Sequence, residues 1–212
     1  MRVGILGSGT MARTLGGAWR RAGHDVLVGG RNLATAAAAA AEIGAAGHGT
    51  PADAARHGDA VLVAVPADAA PELARDLAGL LAGRTVIDCT NQLAPGADGP
   101  ELTTGGVPVA RRIADAAPDA RVVKAFNLCH SSIWALPRPV FQGEPLAVPI
   151  CGDDPAAVDL AAALAGAIGC VPLRCGGLSR AAYLEATAAF AIGVWWSGGE
   201  PRFAFPAPGE AA

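Results

Sequence analysis

The amino-acid sequence predicts an α/β fold with a doubly wound, mostly parallel sheet and a smaller C-terminal α/β part. Strand and helix signals alternate along the 212 residues, an order typical of parallel sheets with helical crossovers. Residues 59–66 form an apolar run of strand length, as expected for a strand that helices cover on both faces. A glycine-rich turn, Gly7-Ser8-Gly9-Thr10-Met11-Ala12, joins the first strand to the first helix.

The elements up to residue 127 follow one another in strict alternation. The first helix has apolar residues at helical spacing from Met11 to Ala22, and Gly23 ends it. An alanine-rich helix follows the second strand. The predicted strands are 3–6, 26–28, 59–66, 85–88 and 121–127, and the predicted helices are 11–22, 33–46, 68–81 and 109–117.

The last third of the chain predicts a smaller unit, so we divide the chain into residues 1–127 and residues 128–212. The predicted strands of this unit are 147–151 and 171–173, and its predicted helices are 155–168 and 179–196. Helix 179–196, with Ser179 as its N-cap, is almost wholly apolar and is expected to be buried, for instance in a subunit contact. The Gly-, Pro- and Thr-rich segment 94–106 is either a mobile lid or binding loop, or a plain disordered connection.

Composition excludes several classes of protein. A net charge of −3 gives no basic surface for nucleic acid, and the longest apolar run, 186–196, is too short to span a membrane. The N-terminus lacks the apolar stretch of a signal peptide. Five cysteines without a CxxC pair indicate a reduced, cytoplasmic protein. The four histidines show no metal-ligand spacing, so we predict no metal site.

The glycine-rich turn predicts a dinucleotide site in a Rossmann-type βαβ unit. Gly7 allows the tight turn, Gly9 lets the backbone approach a pyrophosphate, and Ala12 lets the helix pack closely on the sheet. The backbone amides of Thr10 and Met11 then face an anion at the positive end of the helix dipole.

The end of the second strand selects the dinucleotide. NAD sites usually carry an acidic residue there, which holds the ribose 2′-hydroxyl. This chain has Gly30-Arg31-Asn32 instead. A guanidinium pairs with a 2′-phosphate that a carboxylate would repel, so Arg31 predicts NADP(H) as the cofactor.

The ends of the later strands predict the nicotinamide side of the site, because ligands of doubly wound sheets bind outside the carboxyl ends of the strands. The segments expected there are Ala64-Val65-Pro66, Thr90-Asn91 and Asn127. Amide and threonine side chains are poor proton donors, so these residues favour chemistry by orientation, such as hydride transfer. An amide can donate and accept at once, and we predict Asn127 and Asn91 as the catalytic residues. The alternative is that they are ordinary strand-end residues.

Four segments of the chain resemble the coenzyme F420-dependent NADP oxidoreductase family. They are residues 7–12, 28–32, 64–66 and 148–154, and the resemblance runs over nearly the whole chain. Residues 122–127 are also similar to the cytosolic domains of STEAP-type metalloreductases, which pass hydride from NADPH to a flavin.

The resemblance implies a small soluble enzyme, commonly a homodimer, with a small-molecule redox acceptor. NADP(H) would bind the N-terminal part, and coenzyme F420, a deazaflavin, would lie in a cleft that the C-terminal part closes. Hydride would pass between the nicotinamide and the deazaflavin. Residues of this chain that fall where the family holds NADP are Thr10, Met11, Arg31, Asn32 and Pro66.

One departure from the family leaves the acceptor open. Archaeal members carry Ser and His at the positions of Lys124 and Asn127, so a flavin or a substrate of a specialised pathway could replace the deazaflavin. Strand alternation places Lys124 and Asn127 on opposite faces, which favours a structural or interface role for the only lysine. A non-catalytic NADPH-sensing module is a further hypothesis. An imine or ketone reductase would need a proton donor, and the sequence contains no Tyr-x-x-x-Lys pair.

Overall fold

The chain forms one large sheet that helices cover on both faces. The computed structural model describes residues 1–97 and 99–201. Within that part the sheet has eight strands. The elements up to the middle of the sheet are β1 (Arg2–Leu6), α1 (Thr10–Arg21), β2 (Asp25–Gly29), α2 (Leu33–Ile43), β3 (Gly47–Gly49), α3 (Pro51–His57), β4 (Ala60–Val63), α4 (Ala70–Asp76), α5 (Ala78–Leu81) and β5 (Thr85–Asp88).

The second half of the chain completes the sheet and adds two small hairpins outside it. The hairpins pair β6 with β7 and β9 with β10. The elements are β6 (Leu93–Gly96), β7 (Gly99–Leu102), α6 (Val109–Ala116), β8 (Arg121–Ala125), α7 (Ser131–Ala135), β9 (Val140–Phe141), β10 (Glu144–Pro145), β11 (Ala147–Gly152), α8 (Pro155–Ala167), β12 (Val171–Arg174) and α9 (Ala181–Trp196).

The strand order of the sheet is β12-β11-β8-β5-β4-β1-β2-β3. Neighbouring strands run parallel except β11, which runs antiparallel to β8. The predicted doubly wound, mostly parallel sheet is therefore confirmed. The winding reverses between β1 and β4, and the crevice outside the carboxyl ends of these strands is where such sheets bind ligands.

The C-terminal strands extend this same sheet. β11 pairs with β8, and β12 pairs with β11. Helix α9 packs on the β6–β7 hairpin so closely that a Cβ on Gly99 would lie 3.6 Å from the Cα of Gly193. The predicted division at residue 127 stays a prediction, and residues 202–212 of its second part lie outside the described residues.

Two predicted elements are interrupted by residues whose backbone leaves the regular region. The strand expected to reach residue 127 ends at Ala125, because Phe126 has a left-handed backbone with φ of +62°. The single helix expected at 68–81 is broken at Leu77, whose φ of −102° and ψ of 6° are not α-helical. Periodicity of apolar residues does not report such local breaks.

The other corrections concern segments whose composition misled the prediction. Segment 94–106 was expected to be a loop, yet it forms most of the β6–β7 hairpin, in which Pro95 lies opposite Pro100. Proline lacks a backbone N–H, and the two prolines are partners in the same residue pair. The other residues of β6 and β7 can therefore still pair. Ser179 was expected to cap the last helix, but it lies in a 3₁₀ turn and α9 begins at Ala181. Five elements of two to seven residues, too short for a periodic signal, were not predicted: β3, α3, α7, β9 and β10.

An aromatic cluster holds the irregular end of β8. The ring of Phe126 packs edge-on against Trp19 and Trp134, with centroid distances of 5.7 and 5.5 Å. The indole Nε1 of Trp19 donates to the carbonyl of Leu164 at 3.1 Å. The chain that leads into Asn127 is therefore anchored in the core by α1, α7 and α8.

A buried ionic cluster joins α9 to the centre of the sheet. Lys124 of β8 and Asp88 of β5 are register partners on adjacent parallel strands, and both side chains are fully buried. The Nζ atom of Lys124 donates to Asp88 Oδ2 at 2.8 Å, to Glu185 Oε1 of α9 at 2.7 Å and to the carbonyl of Thr90. Glu185 Oε1 also accepts from the backbone N–H of Val109 at 2.9 Å, which begins α6.

The surroundings of Lys124 and Glu185 raise the pKa values of both side chains. Burial alone lowers the pKa of Lys124, but the attraction of Asp88 and Glu185 and their hydrogen bonds outweigh it and hold the pKa above its ordinary value. Burial raises the pKa of Glu185, and the negative charge of Asp88 adds to the rise although Lys124 opposes it. Lys124 is therefore a permanent cation inside the protein.

The turn between β1 and α1 depends on glycine at one position. Gly7 has φ of +122°, and a Cβ there would lie 2.2 Å from the carbonyl oxygen of Ala64. Its backbone N–H donates to the carbonyl of Gly29 at 2.8 Å, so β1, β2 and β4 meet at this residue. Gly9 has an ordinary φ of −79° and open space where a Cβ would lie.

We predict that Lys124→Met lowers the free energy of unfolding by about 3–5 kcal/mol, because it leaves two buried carboxyl groups without their cation. The neutral triple variant Asp88→Asn/Lys124→Met/Glu185→Gln should lose less. Arg111→Met removes an exposed ion pair with Asp115 and should change little, within about 0.5 kcal/mol. Urea unfolding followed by circular dichroism measures all three. Equal losses for Lys124→Met and Arg111→Met would show that the cluster does not hold α9 to the sheet.

We predict that Gly7→Ala lowers the free energy of unfolding by about 1–3 kcal/mol, because the methyl group meets a backbone carbonyl in a left-handed conformation. Gly9→Ala is the matched control two residues away and should unfold within about 0.5 kcal/mol of the unchanged protein. Thermal or urea unfolding of the two variants side by side decides the matter. A Gly7→Ala protein as stable as Gly9→Ala would refute the steric requirement.

Candidate functional site

A cavity of about 460 Å³ opens at the carboxyl ends of the central strands. Its wall combines the β1–α1 turn, the segments that follow β4, β5 and β8, and two apolar residues opposite them: Leu93 of β6 and Ile192 of α9. Eight of the predicted site residues lie in this wall: Thr10, Met11, Ala64, Val65, Pro66, Thr90, Asn91 and Asn127. The residues predicted for the nicotinamide side therefore lie together in one cavity wall.

The other predicted site residues lie beside the cavity rather than in its wall. Gly7 and Gly9 shape the turn, and Ala12 is fully buried against the sheet. Arg31 and Asn32 are exposed at the start of α2. None of these placements tests the roles that we assign to the residues, which stay predictions.

The β1–α1 turn has the features that an anionic ligand needs. Helix α1 has no side-chain hydrogen bond at its N-cap, Gly9, and no acidic residue in its first turn. A Cβ on Gly9 would meet no described atom within 4 Å, so a ligand could approach the backbone there. The first amides of the helix, at Thr10 and Met11, therefore suit a phosphate group.

Asn32 has a structural task that the sequence did not reveal. Its Oδ1 atom accepts from the backbone N–H groups of Ala34 and Thr35 at 3.0 and 3.2 Å, so it caps helix α2. This occupied oxygen is not free for a ligand. Sequence reasoning also missed that Ser8 Oγ donates to Thr35 Oγ1 at 3.2 Å, which joins the β1–α1 turn to the start of α2. Ser8 lies inside the glycine-rich motif, which was the available signal.

The cavity wall carries no group that titrates near neutral pH among the residues that the structure describes. Its two thiols belong to Cys89 and Cys129. Burial raises the pKa of Cys89 to about 12, with the Asp88 charge adding to the rise, and burial raises the pKa of Cys129 to about 11. Both thiols are therefore protonated and weakly reactive. The site can orient a ligand but has no ready general acid or base.

Asn91 and Asn127 form a reciprocal amide pair in the wall. Asn127 Nδ2 donates to Asn91 Oδ1 at 2.9 Å and to the carbonyl of Leu184 in α9 at 3.1 Å. Asn91 Nδ2 donates to the backbone carbonyl of Asn127 at 2.7 Å. Asn127 Oδ1 is buried and finds no donor within the described chain. We expected the Asn127 amide both to donate to a ligand and to accept from it, but its N–H donors are engaged by acceptors inside the protein.

The expectation that Lys124 and Asn127 lie on opposite faces is wrong. Lys124 contacts Thr90 and Glu185. Asn127 contacts Asn91, which follows Thr90, and Leu184, which precedes Glu185 in α9. Strand alternation fails because Phe126 leaves the extended conformation. The predicted structural role of Lys124 fits its burial, and its partner Glu185 was missed because 61 residues separate them.

Three comparisons with known proteins agree with this geometry. Residues 2–92 match the family described as NADP oxidoreductase, coenzyme F420-dependent. The chain is 32% identical to the rat metalloreductase STEAP3 over 185 residues, which is 87% of this chain and 36% of the rat protein. The chain therefore spans about a third of the length of that curated relative.

Solved structures show the same fold. A crystal structure of a candidate F420-dependent NADP-reductase from Arthrobacter sp. FB24 superimposes with a TM-score of 0.80 and 25% identity, over 93% of this chain and 95% of that one. An imine reductase from Streptomyces aurantiacus superimposes with a TM-score of 0.65 over 92% of this chain and 62% of that one, at 19% identity, which shows a common fold.

The described ranges 1–97 and 99–201 show neither a membrane-spanning helix nor a metal-binding cluster. No helix there combines the length and apolarity needed to cross a bilayer, and no group of three or more His, Cys, Asp or Glu residues there could hold a metal ion. The family match covers segments 7–12, 28–32 and 64–66, in which the sequence resembles that family. Residues 2–92 are therefore similar to the coenzyme F420-dependent NADP oxidoreductase family.

Proposed function

We propose that this protein transfers hydride between NADP(H) and a planar conjugated acceptor, either coenzyme F420 or a flavin. The observation that carries the proposal is the cavity wall at the carboxyl ends of the central strands. In the described residues this wall offers apolar surface, amides and hydroxyls, and its only titratable groups are two protonated thiols. Such a wall can hold two rings in register but cannot supply or remove a proton.

NADP(H) fits the first half of the site. The open space beside Gly9 and the uncapped start of α1 suit a pyrophosphate. Arg31 is exposed and makes no ion pair with any described residue, so its guanidinium is available for a 2′-phosphate. The nicotinamide then reaches the strand ends that carry Pro66, Thr90 and Asn127.

The absence of a positioned acid in the wall favours a ring acceptor over a ketone or imine. The bound nicotinamide supplies the hydride. A deazaflavin or flavin spreads the added electron pair over a conjugated ring, and its proton can come from water afterwards. A ketone or imine needs a proton at one heteroatom during reduction, which enzymes provide with a nearby acid. We therefore do not extend the chemistry of the imine reductases that share this fold to this chain.

The second ring would lie against the C-terminal part of the chain. Leu93 and Ile192 provide an apolar surface facing the strand ends. Arg112 donates to Gln92 Oε1 at 2.6 Å, next to Leu93. A cation beside Leu93 suits an anionic group on the acceptor, such as the tail of coenzyme F420 or the phosphate of FMN. We therefore place the acceptor between the strand ends and α9.

We further propose that the protein works in the cytoplasm as a homodimer that reduces a small molecule. Support comes from α9, where aromatic side chains are exposed. Tyr183 and Trp196 are 63% and 70% exposed, and Trp195 is 40% exposed. A second copy would cover some of these exposed rings. The free cysteines at positions 89, 129, 151, 170 and 175 fit a reducing compartment.

We predict that Arg31→Ala weakens NADPH binding by about ten- to a hundredfold and leaves NADH binding nearly unchanged, because only NADPH carries the 2′-phosphate. Gly9→Val should instead weaken both dinucleotides, since the side chain fills the space needed by the pyrophosphate. Titration of nicotinamide fluorescence measures all four affinities. Equal losses for NADPH and NADH in Arg31→Ala would rule out this arginine as the selector.

We predict that NADPH is oxidised at least about tenfold faster with F420, FMN or FAD than with a cyclic imine or a ketone. The panel is followed by absorbance at the nicotinamide band, with ferric chelates as an additional acceptor. Gly9→Val, which should fold but not bind the dinucleotide, controls for contaminating reductases. Faster turnover with the imine than with every ring acceptor would contradict the proposed function.

A further inference from the structure

We infer that Asn127 Oδ1 is the atom that receives an amide-type N–H of the bound ligand, and that the site selects ligands by this donor. The inference rests on the proposed function and adds that the protein accepts and the ligand donates in this hydrogen bond. Two groups in the proposed reaction carry such a donor: the carboxamide of nicotinamide and the imide of a flavin or deazaflavin ring. Both present an N–H next to a carbonyl.

The first step is the isolation of this oxygen. Asn127 is 5% exposed, lines the cavity, and has an Oδ1 atom without a donor in the described chain. A buried oxygen that has lost its water costs free energy unless a partner replaces it. Among the cavity-lining side chains that the structure describes, this atom alone is buried and unpaired.

The second step is the orientation of the amide. Asn127 Nδ2 faces two acceptors, the carbonyl of Leu184 and Asn91 Oδ1. Turning the amide over would set its oxygen against both of them. Asn91 cannot turn either, because its Nδ2 already donates to the carbonyl of Asn127. The contacts therefore fix which end of the amide remains unpaired, independently of how the amide atoms are assigned.

The third step is the polarity of the surrounding wall. The Thr90 hydroxyl donates to Asp88 Oδ1 at 2.7 Å, so this donor is also engaged inside the protein. The carbonyl of Thr90 accepts from Lys124. Near Asn127 the Thr90 hydroxyl and the Asn127 Nδ2 group thus have their donors engaged, and Asn127 Oδ1 is an acceptor without a donor in the described chain. A ligand that presents an N–H gains a hydrogen bond there, whereas a ligand that presents a carbonyl or a methyl group does not.

The test compares dinucleotides that differ only in this group. The acetylpyridine analogue of NADP⁺ has a methyl group in place of the carboxamide NH₂, and the thionicotinamide analogue keeps the NH₂. The unchanged protein should bind the acetylpyridine analogue about tenfold more weakly than NADP⁺, and the thionicotinamide analogue within about twofold. In Asn127→Ala the affinities for NADP⁺ and for its acetylpyridine analogue should differ by no more than about twofold. We call the difference between these two affinities the acetylpyridine penalty. Calorimetry measures these affinities without any acceptor or turnover.

A second arm distinguishes the two sources of the donor. FMN and N3-methyl FMN are titrated against the NADP⁺ complex of the unchanged protein and of Asn127→Ala. A penalty for the N3-methyl group that disappears in Asn127→Ala assigns the contact to the acceptor ring. An acetylpyridine penalty that disappears assigns it to the nicotinamide. Arg31→Ala is the control, because it should weaken the NADP⁺ analogues together and leave their ratio unchanged.

The outcomes separate this inference from the proposed function. If neither penalty depends on residue 127 while NADP⁺ still binds, the inference is overturned and the proposed function stands. If Asn127→Ala does not fold, the unchanged protein alone provides the test. The inference is overturned if this protein binds NADP⁺ and its acetylpyridine analogue equally and also binds FMN and N3-methyl FMN equally. If the protein does not bind NADP⁺, the proposed function fails and the inference fails with it.

Discussion

One buried cation determines how the last helix meets the sheet. Helix α9 is apolar on nearly all sides, so hydrophobic burial alone would tolerate several rotations and shifts of the helix. Lys124 removes this freedom, because a buried ammonium must keep its partners. Asp88 and the Thr90 carbonyl lie outside α9, so the hydrogen bond from Lys124 to Glu185 is the one by which this ammonium places the helix. The cluster therefore specifies register, a role best attested for buried polar groups in helical proteins.

The register of α9 in turn fixes the far wall of the cavity. Ile192 follows Glu185 by seven residues, which is close to two helical turns, so both lie on the same face of α9. Glu185 meets the sheet and Ile192 meets the cavity. Leu184, adjacent to Glu185, presents its carbonyl to Asn127. The ionic cluster, the amide pair and the apolar wall are thus set by a single placement of the helix.

The sequence revealed local features and missed those that depend on distant contacts. The alternation of strands and helices, the glycine turn and the absence of an acidic residue at position 31 are visible within windows of a few residues. The pairing of Lys124 with Glu185 is not, since 61 residues intervene. The break at Phe126 was hidden as well, because a left-handed residue inside an apolar run is imposed by packing against Trp19 and Trp134. That break invalidated the alternation used to place Asn127.

The distribution of charge around the cavity limits the chemistry that it can perform. The ionisable groups nearest the strand ends, Asp88, Lys124 and Glu185, are bound to one another behind the wall and do not reach the ligand space. The groups that do reach it are neutral, and the unpaired one is an acceptor. The described wall combines neutral side chains and one unpaired acceptor with the first backbone amides of α1, so beside Asn127 it can position a ring that offers an N–H donor. This distribution of charge supports the proposed hydride transfer between two conjugated rings, because two positioned rings need no acid or base from the wall.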